Sequence, residues 1–574
     1  MSCGKSRSQS ACRRSKTIKS TFDHDHHQKG SIDRRSANYH PNIWDFDFIQ
    51  SLKSDYKGGL YEKQRNKLVE SVRHILLNDQ NMGSLAKFEL IEAVQRLGVR
   101  YFFEEEIEKV LMNGHEIITS KEESLHVVAL RFKLLRQQGY RISPEDVFGV
   151  FKDTNSYCFK ESLCEDAKGM LSLYEAAHFA LEGEDILEEA KAFTTKHLKE
   201  DYIKSTPTID RHLAKLMNHS LELPLRWRTP RVEAKWYIEA CVDDDSLHPD
   251  VLQLAKLNFN MVQAVQQEEL QELSRWWKNL DLASHVSFAR DRLVENYFWA
   301  LGVIFDQRYG CCRIGFGKLI SLITPIDDIY DVYGSLDELE LFTSVIESWD
   351  IKAMEKLPNY MKLCFLALYN TINEISYFLL KKHGLDLIYY LKEMWAGLCK
   401  SYLVEARWYH NKCTPSLEEY LENGFISIAA PLLLLHTYVL LQEDISVEAL
   451  EYLTTHPKIA RWSAMIVRLY NDLATSTDEL GRGDVHKSIQ CYMHEKGVTE
   501  EIAREHIKNL IMEAWKRLNK EQIENSLWPK ALIDVAINFA RAAQLMYQYG
   551  DGYGVSNGLT KSRVLELLAE PLIL

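Results

Sequence analysis

Two groups of oxygen-bearing side chains lie on segments that the sequence predicts to be helical. The first group consists of three carboxylates, Asp327, Asp328 and Asp331. The second repeats at every fourth position and consists of Asn471, Thr475 and Glu479. Spacings of three and four bring side chains to one face of a helix, so each group forms a single stripe. Such side chains bind a hard cation such as Mg²⁺, and the expected ligand of the resulting metal cluster is a diphosphate.

Positive charge stands close to both groups. Arg290 and Arg292 form an Arg-Asp-Arg sequence ahead of the first group, and Arg468 and Lys487 flank the second. Guanidinium groups can bind phosphate oxygens bidentately. We therefore expect these four side chains to face the leaving diphosphate.

Aromatic residues accompany the charged ones. Trp299 lies about two helical turns beyond Arg292, and Tyr553 belongs to a glycine-bracketed stretch, residues 551–554, that we predict to be a flexible lid. We assign Asp551 in that stretch to the catalytic set. An aromatic wall suits a substrate that ionises to a carbocation, because each desolvated ring stabilises positive charge by about 1–2 kcal/mol.

Composition excludes several classes of protein. The chain has 574 residues, which suggests two to four domains, and its net charge of −13 argues against a nucleic-acid partner. Eleven cysteines without a CxxC spacing are typical of a reducing compartment. The longest apolar run, residues 426–441, is short for a membrane span and predicts a buried helix.

Apolar residues recur at spacings of three and four along most of the chain after residue 45, and Pro and Gly are sparse. This pattern predicts an all-α protein built of two helical layers or bundles. The best break lies at the acidic, proline-containing stretch 243–249. Both oxygen-rich groups follow it, so the N-terminal half is predicted to be scaffold.

The first 22 residues contain six Lys or Arg, six Ser and no acidic residue. This composition is typical of an organelle transit peptide, and a disordered basic tail is the alternative.

The motifs together resemble those of class I plant terpene synthases. They are Arg290-x-Arg292, Asp327-Asp328-x-x-Asp331 and Asn471-Asp472-x-x-Thr475-x-x-x-Glu479. Arg34-Arg35, followed after eight residues by Trp44, resembles the tandem-arginine motif of the monoterpene synthase branch. The resemblance extends from about residue 34 to the C-terminus.

The resemblance implies three parts of the chain. These are a leader over residues 1–33, an N-terminal helical barrel-like domain over 34–250, and a C-terminal helical bundle over 251–574 that performs catalysis. It also implies three Mg²⁺ ions, with Mn²⁺ as a substitute, bound between the two acidic motifs.

The resemblance also implies roles for individual residues. The expected metal ligands are Asp327, Asp328, Asp331, Asn471, Thr475 and Glu479. The substrate's diphosphate would meet Arg290, Arg292, Arg468, Lys487 and the metal ligands Asp327, Asp331 and Asn471. Trp299 and Tyr553 would line the hydrocarbon pocket. Arg34 and Arg35, with Trp44, would brace the N-terminal segment over the closed site, and in this family the arginine pair is associated with isomerisation of the substrate.

The implied activity is that of a lyase that ionises a prenyl diphosphate, preferably geranyl diphosphate, and releases acyclic or cyclic monoterpenes. We expect a monomer located in the plastid. A cytoplasmic sesquiterpene synthase using farnesyl diphosphate and an isoprene synthase remain alternatives.

Other enzymes fit the motifs less well. Chain-elongating prenyl transferases usually carry a second Asp-Asp-x-x-Asp motif, which Asn471, Thr475 and Glu479 replace here. A protonation-initiated cyclase needs Asp-x-Asp-Asp in its N-terminal half, a spacing that residues 243–245 do not provide. A helical-repeat binding protein would carry both acidic groups by coincidence.

Two positions depart from the usual family pattern. Pro325 precedes Asp327 by two residues and would remove a helical hydrogen bond, at a cost of about 3 kcal/mol. We predict a kink there, which makes a catalytically impaired homologue an alternative, unless the helix is already broken at that point. Gly424 replaces a bulkier residue and is predicted to open the pocket.

Overall fold

The computed structural model describes residues 34–574, apart from 79–81, 116–122, 154–157, 205–209, 243–245, 442–444, 525–527 and 556–557. Throughout these described residues the regular elements are helices, and strand-like pairing is confined to two isolated bridges, 152 with 159 and 548 with 550. The all-α prediction is confirmed. The predicted leader and the acidic part of the predicted break lie outside the described residues.

The N-terminal half contains ten α-helices. They are α1 (Phe46–Ser51), α2 (Gly59–Asn78), α3 (Ser84–Arg96), α4 (Glu104–His115), α5 (Leu125–Gln137), α6 (Pro144–Phe148), α7 (Ala167–Ala177), α8 (Asp185–Lys204), α9 (Arg211–Glu222) and α10 (Pro230–Ala240). Four short 3₁₀ turns connect them, at Arg100–Phe102, Gly149–Phe151, Glu161–Glu165 and Leu225–Trp227.

The C-terminal half contains the longer helices. They are α11 (Pro249–Leu280), α12 (Leu282–His285), α13 (Leu293–Val303), α14 (Gly310–Asp328), α15 (Leu336–Ser348), α16 (Asn359–His383), α17 (Ile388–His410), α18 (Leu417–Ser427), α19 (Ala430–Leu441), α20 (Val447–Thr454), α21 (Lys458–Arg482), α22 (Ser488–Lys496), α23 (Glu500–Glu524), α24 (Lys530–Tyr547) and α25 (Leu559–Leu568). A π-helical turn, Ile329–Tyr333, continues α14, and 3₁₀ turns lie at Gln307–Tyr309 and Ala353–Lys356.

Local sequence explains where several helices around the two acidic groups begin or end. Ser335 and Glu338 form a capping box that begins α15 directly after the first group. Gly483 ends α21, which carries the second group, with a backbone φ of 78° that favours glycine. Pro431 lies in the first turn of α19, where its missing N–H costs no hydrogen bond.

The long helix α11 begins at Pro249, close to the predicted domain boundary, and joins the two halves. It packs against both α2 and α14. Buried apolar side chains form one continuous cluster from Trp44 to Leu572. The halves therefore share a packed interface, and the division at residue 250 stays a prediction.

Two stretches of the described chain, Asn359–His383 and Leu417–Leu441, are long and apolar enough to cross a membrane by length and composition. Inside the protein 50% and 83%, respectively, of their apolar windows are buried, as in helices of a protein core.

Candidate active site

A cavity of about 990 Å³, its mouth included, lies inside the C-terminal half. Helices α13, α14, α17, α19, α21 and α24 contribute to its wall. Nine residues predicted from the sequence line it: Arg290, Trp299, Asp327, Asp331, Arg468, Asn471, Glu479, Lys487 and Tyr553. The fold thus brings both oxygen-rich groups, three cations and two aromatic rings to one space.

The first acidic group is divided by the π-helical turn after α14. Asp327 lies in the last turn of α14, and Asp331 lies within the wider turn, which closes with a hydrogen bond from Gly334 N to Ile329 O at 2.8 Å. Both residues line the cavity. Asp328, by contrast, is fully buried and absent from the lining, and its expected role as a metal ligand stays a prediction.

Arg290 takes up the carboxylate of Asp328. Its backbone N donates to Asp328 Oδ2 at 2.7 Å and its Nε to Asp328 Oδ1 at 2.9 Å. Its Nη2 also donates to Asp327 Oδ2 at 2.8 Å. One guanidinium therefore links two members of the acidic motif.

Negative charge is crowded in this group. Burial raises the pKa of Asp327 to about 6, with Arg290 opposing the shift and Asp328 adding to it. Burial, and then the neighbouring Asp327, also raises the pKa of Asp331 well above its usual value. Carboxylates in this state gain from a bound cation, since its charge favours their ionised forms.

The second group differs in having an unsatisfied oxygen. Glu479 Oε2 is buried and makes no hydrogen bond with any residue that the structure describes, and Lys487 Nζ lies 3.9 Å away. Thr475 Oγ1 donates to Asn471 O at 3.0 Å and lies just outside the lining. Because this free carboxylate oxygen shares a cavity with Asp327 and Asp331, the oxygen-only donor set fits a hard divalent cation.

Asp472 belongs to the second motif but is absent from the cavity lining, and its Oδ1 lies 3.5 Å from Arg468 Nη1. Its carboxylate accepts hydrogen bonds from Tyr420 OH at 3.0 Å and Ser488 N at 3.2 Å. The residue fastens α21 to its neighbours α18 and α22.

Arg468 is positioned by α18. Its Nε donates to Gly424 O at 3.2 Å and its Nη2 to Ser427 Oγ at 2.9 Å. A Cβ at Gly424 would lie 3.4 Å from Arg468 Cγ. The prediction that Gly424 opens the pocket is therefore wrong, because Arg468 occupies the adjacent space.

Glu405 lines the cavity and was missed by the sequence reasoning. It is a buried side chain of α17 that accepts hydrogen bonds from Asn423 at 3.1 Å and from Ser427, and its Oε2 lies 3.8 Å from Lys487 Nζ. Burial lowers the pKa of Lys487, but Glu479, Asp331 and Glu405 outweigh that effect and raise it. A single glutamate on an apolar helix gives no motif by which it could have been found.

Arg292 is absent from the cavity lining, and the expectation that it contacts the diphosphate stays a prediction. Its Nη2 donates to His40 O at 2.6 Å and to Gly554 O at 2.8 Å, and its Nη1 donates to Asp291 O at 2.9 Å. Arg292 thus joins the N-terminal segment, residues 34–45, to the glycine-bracketed loop near the C-terminus.

The arginine pair lies where the N-terminal segment crosses the C-terminal half. Arg34 binds both oxygens of Glu338, at 2.8 and 2.9 Å, and donates to Tyr333 O at 3.0 Å. Arg35 donates to Gly483 O at 3.2 Å and to the carbonyl of Asp331. These contacts connect the segment to the ends of both metal-motif helices.

Further along the segment, Trp44 and Tyr39 enter the protein. Trp44 is buried, and its Nε1 donates to Glu295 Oε1 at 2.7 Å. Tyr39 lines the cavity with its ring centre 5.0 Å from the Arg290 guanidinium and 5.7 Å from that of Arg482. Tyr39 was also missed, although it lies inside the tandem-arginine motif.

The remaining wall is aromatic and aliphatic. Trp299 packs beside Tyr547, with ring centres 6.1 Å apart, and other lining side chains are Ile320, Ile323, Tyr402, Leu433, Val467 and Phe539. Tyr553 OH shares a hydrogen bond of 2.6 Å with Thr324 and donates to Asn296 at 2.8 Å. One end of the cavity is thus charged, and the rest suits a hydrocarbon.

Asp551 was assigned to the catalytic set, but the structure places it outside the lining. Its Oδ1 accepts hydrogen bonds from the backbone N of Tyr553 at 3.1 Å and of Gly554 at 2.8 Å. Asp551 therefore shapes the loop that presents Tyr553.

Helix α14 continues through Pro325 to Asp328. It is not broken before the proline, and the departure from α-helical geometry begins at Ile329, in the π-helical turn. Pro325 is buried, and Asp327 and Asp331, which follow it, line the cavity.

Two family models match most of the described chain. "Terpene synthase, N-terminal domain" matches residues 43–221, and "Terpene synthase family, metal binding domain" matches residues 278–517.

Individual relatives agree with these matches. Myrcene synthase, chloroplastic, of Quercus ilex is 52% identical over 543 residues, which cover 94% of this chain and 90% of the relative. The crystal structure of limonene synthase with 2-fluorolinalyl diphosphate superposes with a TM-score of 0.91 at 41% identity, covering 94% of this chain and all of that one. The crystal structure of isoprene synthase from grey poplar, in complex with three Mg²⁺ ions and dimethylallyl-S-thiolodiphosphate, superposes with a TM-score of 0.84 at 45% identity. The match covers 93% of this chain and 99% of that one.

Proposed function

The chain belongs to the terpene synthase family and is a metal-dependent lyase of prenyl diphosphates, and on that premise we propose that its substrate is geranyl diphosphate and its products are monoterpenes. The observation that carries the proposal is the cavity, in which acidic side chains, one with an unsatisfied oxygen, lie at one end and an aromatic wall lies at the other. The tandem-arginine contacts across its mouth and the similarity to myrcene and limonene synthases support the ten-carbon substrate.

The carboxylate end would hold Mg²⁺ or Mn²⁺ through Asp327 and Asp331 on one side and Asn471, Thr475 and Glu479 on the other. Metal ions bound there supply Lewis-acid chemistry, because they neutralise the charge that develops on the departing diphosphate. Asp328 would act together with Arg290, which holds both of its oxygens.

Three cations of the lining would bind the diphosphate oxygens. Arg290, Arg468 and Lys487 all border the space next to the acidic groups. Arg468 and Lys487 are held by Ser427 and Glu405, so both are oriented before substrate arrives. Oriented charges stabilise a leaving group without further reorganisation.

The organic cation would remain at the aromatic end. Trp299, Tyr547 and Tyr553 present ring faces and edges there, and cation–π attraction favours positive charge beside them. The N-terminal segment closes over this space with Tyr39 inserted. Exclusion of water protects the cation from premature capture.

We also propose a plastid location and a monomeric state. The basic, serine-rich start of the chain and the chloroplastic relative of Quercus ilex support the location.

The test is a Mg²⁺-dependent assay of residues 34–574 with geranyl, farnesyl and dimethylallyl diphosphate, with volatile products identified by gas chromatography–mass spectrometry. We expect C10 products from geranyl diphosphate, and Asp327→Ala should lower turnover on the order of 10³-fold, since several kcal/mol of charge stabilisation are lost. C15 or C5 products alone would contradict the proposed substrate. A folded protein that releases no diphosphate would be the impaired homologue.

A further inference from the structure

A second polar cavity lies between the two halves of the chain and shares no lining residue with the candidate active site. Its volume is about 560 Å³, part of it open to solvent, and it is walled by α3, α5, the Leu225–Trp227 turn, α10 and α24. Five basic side chains line it, Arg96, Lys133, Arg226, Arg228 and Arg541, against two acidic ones, Glu92 and Glu233. We call this space the interface cavity.

Both acidic side chains of the interface cavity are already paired. Glu233 Oε1 accepts a hydrogen bond from Arg96 Nη2 at 2.8 Å, and Arg228 lies 3.9 Å from the other oxygen. Glu92 is bonded to Lys133. These two carboxylates therefore balance cations of the N-terminal half and leave none for the remaining arginines.

Arg226 and Arg541 have only neutral hydrogen-bond partners. Arg226 Nε donates to Asn519 Oδ1 at 2.9 Å and its Nη2 to Gln522 Oε1 at 2.8 Å. Arg541 Nε donates to the carbonyl of Arg226 at 2.8 Å and its Nη1 to Asn538 Oδ1 at 3.0 Å. Among the described residues neither guanidinium has a carboxylate oxygen within 4.0 Å, and Asp534 attracts both from beyond that distance.

This arrangement is unfavourable without a counter-charge. Arg226 is 2% exposed, and the Arg541 guanidinium is fixed next to it by the hydrogen bond to its backbone carbonyl. Burial lowers the pKa of Arg541 to about 10, and burial followed by repulsion from Arg541 lowers that of Arg226. The rings of Phe179 and Trp515, at 4.8 and 6.0 Å, offset part of this effect. Because arginine remains protonated in proteins, loss of a proton cannot relieve the repulsion between the two guanidinium groups.

We propose that the interface cavity binds a small oxyanion of the phosphate type between Arg226 and Arg541. Planar guanidinium groups match the oxygens of such an anion, and the two arginines approach it from different halves of the chain. Helix α24 carries Arg541 and also Phe539 and Tyr547 of the candidate active site. The bound anion thus fixes α24 to the N-terminal half behind the hydrocarbon wall.

Thermal unfolding of the full chain in EDTA tests this proposal, with phosphate or diphosphate added at constant ionic strength. We expect the unfolding midpoint of the wild type to rise by about 2–4 °C at saturation. The same rise is expected in Arg290→Gln, which alters the candidate active site, and none in Arg541→Gln. An equal rise in both variants, or no rise in the wild type with either anion, would overturn the proposal.

A second variant and a direct observation cover failure of Arg541→Gln to fold. Arg226→Gln should lose the anion effect in the same way, whereas Arg541→Lys, which keeps the charge, should retain part of it. In crystals soaked in selenate, anomalous density between the two guanidinium groups supports the site, and water alone there contradicts it.

The two anions distinguish the source of the ligand. Half-saturation at a lower concentration of diphosphate than of phosphate identifies the released product as the ligand, and the reverse order identifies free phosphate.

Discussion

The helices α14 and α21, which carry the two acidic groups, differ in the electrostatic surroundings of their carboxylates. At the end of α14, Asp327 and Asp331 are crowded with like charge, and their pKa values are raised. On α21, burial acts against the charge of Glu479, but Lys487, Arg482 and Arg468 outweigh it and lower its pKa. The first group needs a cation to become fully charged, whereas the second is charged beforehand and lacks a hydrogen-bond partner for one oxygen.

The difference lies in how nearby cations compensate the negative charge of each group before a metal ion binds. Arg290 compensates the first group directly through Asp327 and Asp328. The cations around the second group stand at longer range, with Lys487 Nζ 3.9 Å from Glu479. We therefore expect substitutions in the two groups to separate metal affinity from stability.

The largest effect that sharpens this contrast is expected for Glu479→Gln. Loss of the free carboxylate oxygen should raise the Mg²⁺ concentration for half-maximal activity by about 10–100-fold, with turnover recovering at high Mg²⁺. Steady-state assays across a Mg²⁺ titration measure this. Asp472→Asn is the matched control, because that carboxylate faces Tyr420 and Ser488. It should lower thermal stability with little change in the Mg²⁺ requirement, and an equal change in both variants would contradict the comparison.

The next effect concerns the contacts that join the N-terminal segment to the loop 551–554. Arg292→Gln removes charge-assisted hydrogen bonds to His40 O and Gly554 O, which are worth about 1–3 kcal/mol each. We expect about 10-fold lower turnover and a larger share of water-captured alcohol products. Faster hydrogen exchange in residues 34–45 would accompany the change. Unaltered exchange with reduced diphosphate binding would instead return Arg292 to the role predicted from the sequence.

A smaller effect should appear in the pH dependence of stability. The folded-state pKa of Asp327, about 6, lies above its usual value of 3.8, so its protonated form favours folding. The metal-free protein should therefore lose roughly 1–3 kcal/mol of stability from this group as the pH rises from about 4 to 6. Denaturant unfolding of the wild type and Asp327→Asn across this range isolates the contribution. Parallel pH profiles for the two proteins would be the contrary result.

The smallest effect is expected at Gly424, on the side of the second group. An alanine Cβ would make an ordinary contact with Arg468 Cγ at 3.4 Å. Gly424→Ala should raise stability by about 0.5–1 kcal/mol, as usual within a helix, and change turnover less than about twofold. Product profiles and unfolding midpoints measure both. A marked change of product mixture would restore the idea that this glycine shapes the pocket.

Much of the fold and part of the site could be predicted because helical periodicity is a local property. The spacing of three and four residues predicted the all-α architecture and both oxygen-rich stripes. It could not show that Asp328 is buried against Arg290 while Asp327 and Asp331 line the cavity, because that difference depends on tertiary contacts.

Other features depended on segments far apart in the chain. Glu405 belongs to no recognisable motif, and Tyr39 is not one of the residues that define the tandem-arginine motif. Both reach the cavity through packing of distant elements. Arg226 and Arg541 are separated by 315 positions, so their approach could not be read from either neighbourhood.

The sequence by itself determined the residue types, the helices that bear them and the family to which they belong. Tertiary structure alone decided which side chain faces which partner. Arg290 and Arg292 show this, since they stand two residues apart in an Arg-Asp-Arg sequence, yet one binds Asp327 and Asp328 while the other joins His40 to Gly554. Local backbone propensities act over a few residues, whereas the partners of Arg292 lie 252 and 262 positions away and are brought to it only when the whole chain packs.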